Sequence, residues 1–418
     1  MPLANGRSYL AIPGPSVIPD EVLQAMHRAS PNIYEGELHD LTHSLIPDLK
    51  SVARTDGNVA IYIGNGHSAW EAALANVTSR GDKILVAAAG TFGHGWGEMA
   101  GEMGLNVEVL EFPTSGPVDP ARVEEALRAD TAGDIKALLL CQVDTSTGAK
   151  SDVAAIRAAI DAAGHSALYL VDCIASLGCD RYEMDAWGVD VTVSACQKGL
   201  MTPAGLAFVH YNEKADAQRG DNVTRYWDWR KRVNPEVYYQ YFSGTAPTHH
   251  LYGLRTALDM INAEGIETVW DRHDALADMI WTAFEAWGDE GPMTLNVADR
   301  AHRSSAVTSI YAGPGNGAAL QSWCKDQAGL TLGIGLGREP ADAYFRLGHM
   351  GHVNAHMIMG ALGTIEAGLV ANGIPHGQGA LAAAAKVLAR HAPATQPRDA
   401  AVQPKGNSSH PQSTSQCC

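Results

Sequence analysis

Short apolar runs alternate along the chain with longer stretches of helical periodicity. Val59–Ile63, Lys83–Ala87, Val107–Leu110, Ala137–Cys141, Leu168–Asp172, Val191–Ser194 and Leu206–His210 each read as strands. Several are continuously apolar, as expected for strands covered on both faces. Between them, Asp119-Pro120 supplies an N-cap and a first-turn proline for a helix over 121–129. Ser151 or Asp152 can cap a helix over 153–163, which Gly164 ends. This alternation predicts an α/β fold with a mainly parallel, helix-covered sheet.

The pattern changes after about Thr248. Helices are expected over 251–263 and 266–287, followed by shorter strands over 306–311 and 344–347 and a helix over 354–371. The expected organisation is an N-terminal arm over 1–20, a large domain over 21–262 and a smaller C-terminal α+β domain over 263–391. The stretch over 392–418 is rich in Pro, Gln, Ser and Asn and is expected to be a disordered tail.

Charge narrows the possible partners. The chain of 418 residues has 30 Lys and Arg against 46 Asp and Glu, a net charge of −16. That field repels phosphate backbones and anionic lipid, so neither nucleic acid nor membrane is expected as a partner. Seven cysteines are too sparse and too odd in number for a disulfide scaffold. Cys141, Cys173, Cys179 and Cys196 read as buried free thiols. The first residues lack a basic region followed by an apolar run, and 357–371 is too short to span a bilayer. A cytoplasmic protein is expected.

The candidate chemistry lies at two strand tips. Asp172 closes one apolar run, and Gln197-Lys198-Gly199 follows another. Ligands of parallel α/β sheets bind at that carboxyl edge. A lysine and an acid so placed match the needs of pyridoxal phosphate: an amine for the Schiff base and for moving protons, and a carboxylate to keep the pyridine nitrogen protonated. The Gly-rich turn Gly64-Asn65-Gly66-His67, between a strand and a helix, suits a phosphate. Tyr344-Phe-Arg346-Leu-Gly348-His-Met-Gly351 offers a guanidinium fork for a carboxylate.

With these motifs the sequence resembles the class V aminotransferases. These are fold-type I pyridoxal-phosphate enzymes with an aspartate-aminotransferase-like fold. The resemblance is greatest to the alanine/serine/aspartate–glyoxylate group and runs from Ile12-Pro-Gly-Pro-Ser16 to about Gly373. It implies a large pyridoxal-phosphate-binding domain and a homodimer with the active site at the interface. Gly66, His67 and Gln197 would meet the cofactor phosphate, Phe92 would stack on the ring, and Thr145 would hydrogen-bond the ring oxygen. Asp172 and Lys198 would be catalytic, and Arg346 would hold the substrate carboxylate. Thr245, in Tyr241-Phe242-Ser-Gly-Thr245, would reach the neighbouring subunit's phosphate. Phe242 stands where the family has a phosphate-contacting tyrosine, which Tyr241 could replace.

The implied reaction is ping-pong transfer of an amino group from serine, alanine or aspartate to a 2-oxo acid, foremost glyoxylate. Two alternatives share the cofactor: a pyruvate-dependent transaminase, and a cysteine-desulfurase-like lyase with Cys324 as its only candidate thiol. A non-catalytic or NAD-binding α/β protein would leave Lys198 without a role. His349, His352 and His356 share one helical face, but no metal is expected, because His349 belongs to the arginine motif. Arg225–Arg232 mixes bases with aromatics and reads as a mobile segment near the substrate entrance.

Overall fold

The computed structural model describes residues 3–392. Apart from Ala392, the expected tail lies outside these residues. In chain order the strands begin with β1 (Tyr9–Ala11), β2 (Asn58–Gly64), β3 (Lys83–Ala88), β4 (Asn106–Glu111) and β5 (Ile135–Cys141). A small hairpin, β6 (Val143–Asp144) and β7 (Ala149–Lys150), precedes β8 (Leu168–Asp172), β9 (Val191–Ala195) and β10 (Gly205–Tyr211). The later strands are β11 (Thr294–Leu295), β12 (Val307–Tyr311), β13 (Leu330–Ile334) and β14 (Tyr344–Gly348).

All seven strands expected from the apolar runs join one sheet, in the order β2-β10-β9-β8-β5-β3-β4. The pairs among β3, β4, β5, β8 and β9 are parallel, whereas β10 runs antiparallel to β9 and to β2. The nine residues from Cys196 to Ala204 are too few for a helical crossover, so the chain must reverse there. That short reversal carries Gln197 and Lys198. Separate apolar clusters cover the sheet's two faces, one built around Leu138, Tyr169, Val171 and Phe208, the other around Trp70, Leu139, Leu170 and Val193.

Local signals set the helices that frame the site. The 153–163 helix is capped by Asp152, whose side chain accepts from Ala155 N–H at 2.9 Å, and it ends on Gly164 in the left-handed conformation. Asn65 likewise caps the Gly66–Val77 helix by accepting from His67 N–H at 3.1 Å.

The second sheet has the order β1-β13-β14-β12-β11. The segment expected as an N-terminal arm therefore supplies an edge strand, β1, parallel to β13. This sheet packs on the long Ile266–Gly288 helix through its own core of Ile280, Phe284, Trp287, Phe345 and Leu347. No helix among the described residues is long and apolar enough to cross a membrane.

Removing a side chain from an interior strand leaves a void that the flanking strands cannot close. Leu139→Ala in β5, where the leucine is 1% exposed, should cost about 2–5 kcal/mol in urea unfolding. The same truncation at Val370, 68% exposed, should stay within about 0.5 kcal/mol of the parent.

Candidate active site

Strands β8 and β9 are parallel neighbours, with Asp172 level with Val193. The carboxylate at the tip of β8 therefore lies beside the turn that leaves β9. A cavity of about 190 Å³ opens there, with Asp172, Gln197 and Lys198 in its wall. The start of the Gly66–Val77 helix closes one side with Asn65, Gly66, His67 and Trp70. Phe92 and Thr145 complete it. A β-carbon at Gly66 would press on the end of the Ile174 side chain, which would have to shift to admit it. The expected residues Gly66, His67, Phe92, Thr145, Asp172, Gln197 and Lys198 thus meet in one place.

Every hydrogen-bond partner of the Asp172 carboxylate is a donor. Ile174 N–H reaches Oδ1 at 2.6 Å, Trp70 Nε1–H reaches Oδ2 at 2.8 Å, and the Cys141 thiol lies 3.7 Å from Oδ2. Burial nevertheless pushes this carboxyl up to about 6, against the pull of Ile174 and Trp70. Lys198 Nζ donates to the carbonyl of Pro13, in the segment that leads from β1 over the site. That segment is fastened to the same turn, since Ser16 N–H donates to Gln197 O at 2.9 Å and Ser16 Oγ to Lys198 O at 2.7 Å. Burial, then the Arg346 charge, brings the Lys198 amine down to about 8.

Arg346, on β14, is 7% exposed. It donates from Nε to Ile334 O at 2.8 Å and from Nη1 to Thr145 O at 2.9 Å. The second contact joins the small sheet to the cavity wall, and Nη2 has no partner among the described residues. Burial draws this guanidinium down to about 10, so it stays charged at neutral pH. Asp144, next to Thr145, accepts from Phe92 N–H at 2.8 Å, Gly93 N–H at 3.1 Å and Ser146 N–H at 3.0 Å. It therefore ties the Phe92 turn to the Thr145 turn.

Several expectations need correcting or completing. Thr245 is exposed and forms no part of this cavity within one chain, and Phe242 is buried in the core beside Tyr238. The Arg225–Arg232 stretch is structural rather than a mobile entrance segment. Trp229 is buried, and the buried Arg232 guanidinium donates to the carbonyls of Ile61, Tyr226 and Tyr241. Carbonyl oxygens and the Tyr62 ring satisfy this cation without a carboxylate.

His349 is buried between Ser305 O and Thr308 Oγ1, each at 2.9 Å, and burial takes it down to about 4. His352 and His356 face a separate surface groove. Among the described residues no group of three or more His, Cys, Asp or Glu could hold a metal ion. Cys324 is buried inside a helix with its thiol pushed up to about 12, which makes it a poor nucleophile. Trp70 and Asp144 were not singled out by sequence reasoning. A tryptophan in an apolar helix reads as core, and an aspartate before Thr-Ser-Thr-Gly reads as a turn.

Residues 8–350 match the model of the family described as aminotransferase class-V. The chain is 38% identical to a serine–glyoxylate aminotransferase of Methylorubrum extorquens, over 93% of this chain and 97% of that protein. It is 34% identical to an L-aspartate–glyoxylate aminotransferase of Paracoccus denitrificans, over 95% of this chain and 100% of that protein. Among solved structures, an alanine–glyoxylate aminotransferase from a Nostoc species superposes with a TM-score of 0.79 at 28% identity, over 88% of this chain and 97% of that one.

Holding a lysine in this cavity destabilises the cofactor-free fold. Because its amine is lowered from 10.5 to about 8, the unfolded chain binds the extra proton between those pH values, and stability rises with pH across that window. Below pH 8 the charged amine carries the full cost, reduced by the water that reaches it. Lys198→Met should therefore stabilise the cofactor-free protein by about 2 kcal/mol in urea unfolding at pH 7. The gain should shrink from pH 8 upward and vanish above 10.5.

Proposed function

The chain belongs to the class-V aminotransferase family, and on that premise we propose that it moves the amino group of serine, alanine or aspartate to glyoxylate with pyridoxal phosphate as cofactor. The observation that carries this reading is a single cavity walled by both Asp172 and Lys198.

The residues fit that cofactor. The buried amide oxygen of Gln197 has no partner among the described residues, and an amide there can present either its oxygen or its NH₂ group. At the start of the Gly66–Val77 helix, the Gly66 N–H has no partner among the described residues, while His67 N–H rests on the Asn65 side chain; a helix N-terminus so placed suits a phosphate. When bound, pyridoxal phosphate supplies an electrophilic carbon for amines and a ring that accepts the electron pair released at the substrate Cα.

The protein groups divide the remaining work. Lys198 would hold the cofactor through its amine and, once displaced by the donor amino acid, its free amine would take the Cα proton and serve as the acid that returns it. An amine at about 8 is partly unprotonated near neutral pH, as a general base needs. Asp172 keeps the ring nitrogen protonated. Gly66, His67 and Gln197 would hold the phosphate, Phe92 would cover the ring and Thr145 would meet its oxygen. Arg346 takes the substrate carboxylate, and its contact with Thr145 O sets the distance between carboxylate and ring. Such positioning lowers the barrier without chemistry of its own.

The second substrate, an oxo acid, runs the same steps in reverse, which gives ping-pong kinetics. We read the working form as a homodimer that brings Thr245 to the neighbouring phosphate. Among the described residues Lys198 is the only lysine or arginine in the cavity wall, and a dianion benefits from further donors. Exposed Ile63, Tyr226, Val237 and Tyr239 offer apolar surface for such a contact. Buried, unbridged thiols at Cys141, Cys173, Cys179, Cys196 and Cys324 accord with the cytoplasm.

Initial rates with serine, alanine and aspartate against glyoxylate and pyruvate test the reading. Glycine formation from glyoxylate with parallel double-reciprocal plots is the expected result. Protein that transfers no amino group with pyridoxal phosphate supplied would contradict it. Arg346→Leu should lower kcat/KM about 100-fold by removing a charge-assisted contact, and Arg346→Lys should recover only part of that loss.

A further inference from the structure

Asp172 faces charged and titratable groups on every side: Cys141 on β5, Asp144 beyond it, Cys173 next in sequence, Lys198 past β9 and His67 on the helix. Burial and the Asp144 charge favour its neutral form. Its close partners oppose this, since Ile174 N–H, the Trp70 indole and the Cys141 thiol all offer hydrogens. An indole N–H can only donate, so a protonated carboxyl would find no acceptor there.

The indole is also fixed in place. Trp70 is 1% exposed, stacks on Trp96 with ring centres 5.8 Å apart, and meets His67 and Phe92 edge-on at 4.7 and 6.3 Å. It stands one turn into the helix whose N-terminus forms the other end of the cavity.

We infer that Trp70 is a positioning residue: its indole N–H holds Asp172 ionised and aimed at the ring nitrogen, from the same helix that faces the phosphate. This rests on the pyridoxal-phosphate reading. One rigid element then sets both ends of the cofactor.

The experiment titrates cofactor-free wild type and Trp70→Phe with pyridoxal phosphate from pH 5 to 8. Phenylalanine keeps an aromatic ring but loses the donor. The acid limb of affinity should move up by about one pH unit. The Kd of Trp70→Phe should then lie within about twofold of wild type at pH 8 and be roughly tenfold weaker at pH 5. Weakening by the same factor at every pH would show a packing role and overturn the inference, as would an unchanged profile.

Should Trp70→Phe fail to fold, the Trp70 indole ¹H–¹⁵N signal of the wild type decides. It should shift with a midpoint near 6, following Asp172, and a signal insensitive to pH would refute the contact. Wild type that binds no pyridoxal phosphate at any pH would instead overturn the functional reading, while the indole titration would still test the pairing.

Discussion

Two neighbouring strand tips hold an acid and an amine in one small cavity, and most of the architecture serves that placement. Parallel pairing of β8 with β9 brings Asp172 level with the start of the next turn. The reversal into β10 makes that turn too short to wander, so Lys198 is held against the sheet rather than on a long loop.

Keeping such groups away from water works against folding. Burial raises the Asp172 carboxyl and lowers the Lys198 amine, each toward its neutral form. The fold offsets this with specific partners: donors around the carboxylate, the Pro13 carbonyl against the amine, and Asp144 bridging the turns that carry Phe92 and Thr145. The shifted groups also suit the chemistry proposed for them, because a base near neutral is more useful than one permanently charged. Arg346 extends the arrangement across the two sheets, since its contact with Thr145 O ties the small sheet to the cavity wall.

Much of this was legible in the residues. The seven apolar runs became the seven strands of the large sheet, and Asp172, Lys198 and Gly66 could be found from their places at strand ends. The reversal of β10 was not legible, because an apolar run has no direction. Strand β1 was hidden by its length of three residues and by a partner, β13, far along the chain. Trp70 and Arg232 were misread or missed for the same reason: side-chain type alone does not reveal whether an aromatic donates a hydrogen bond or whether an arginine is satisfied by carbonyls. Thr245 was found by its motif but lies outside the cavity of a single chain.

The central claim is that Lys198, and no other lysine, holds the cofactor. Borohydride reduction of the protein with pyridoxal phosphate bound, followed by peptide mass spectrometry, tests it most directly. The account predicts a single modified peptide with the pyridoxyl group on Lys198. Modification at another lysine, or none, would contradict it.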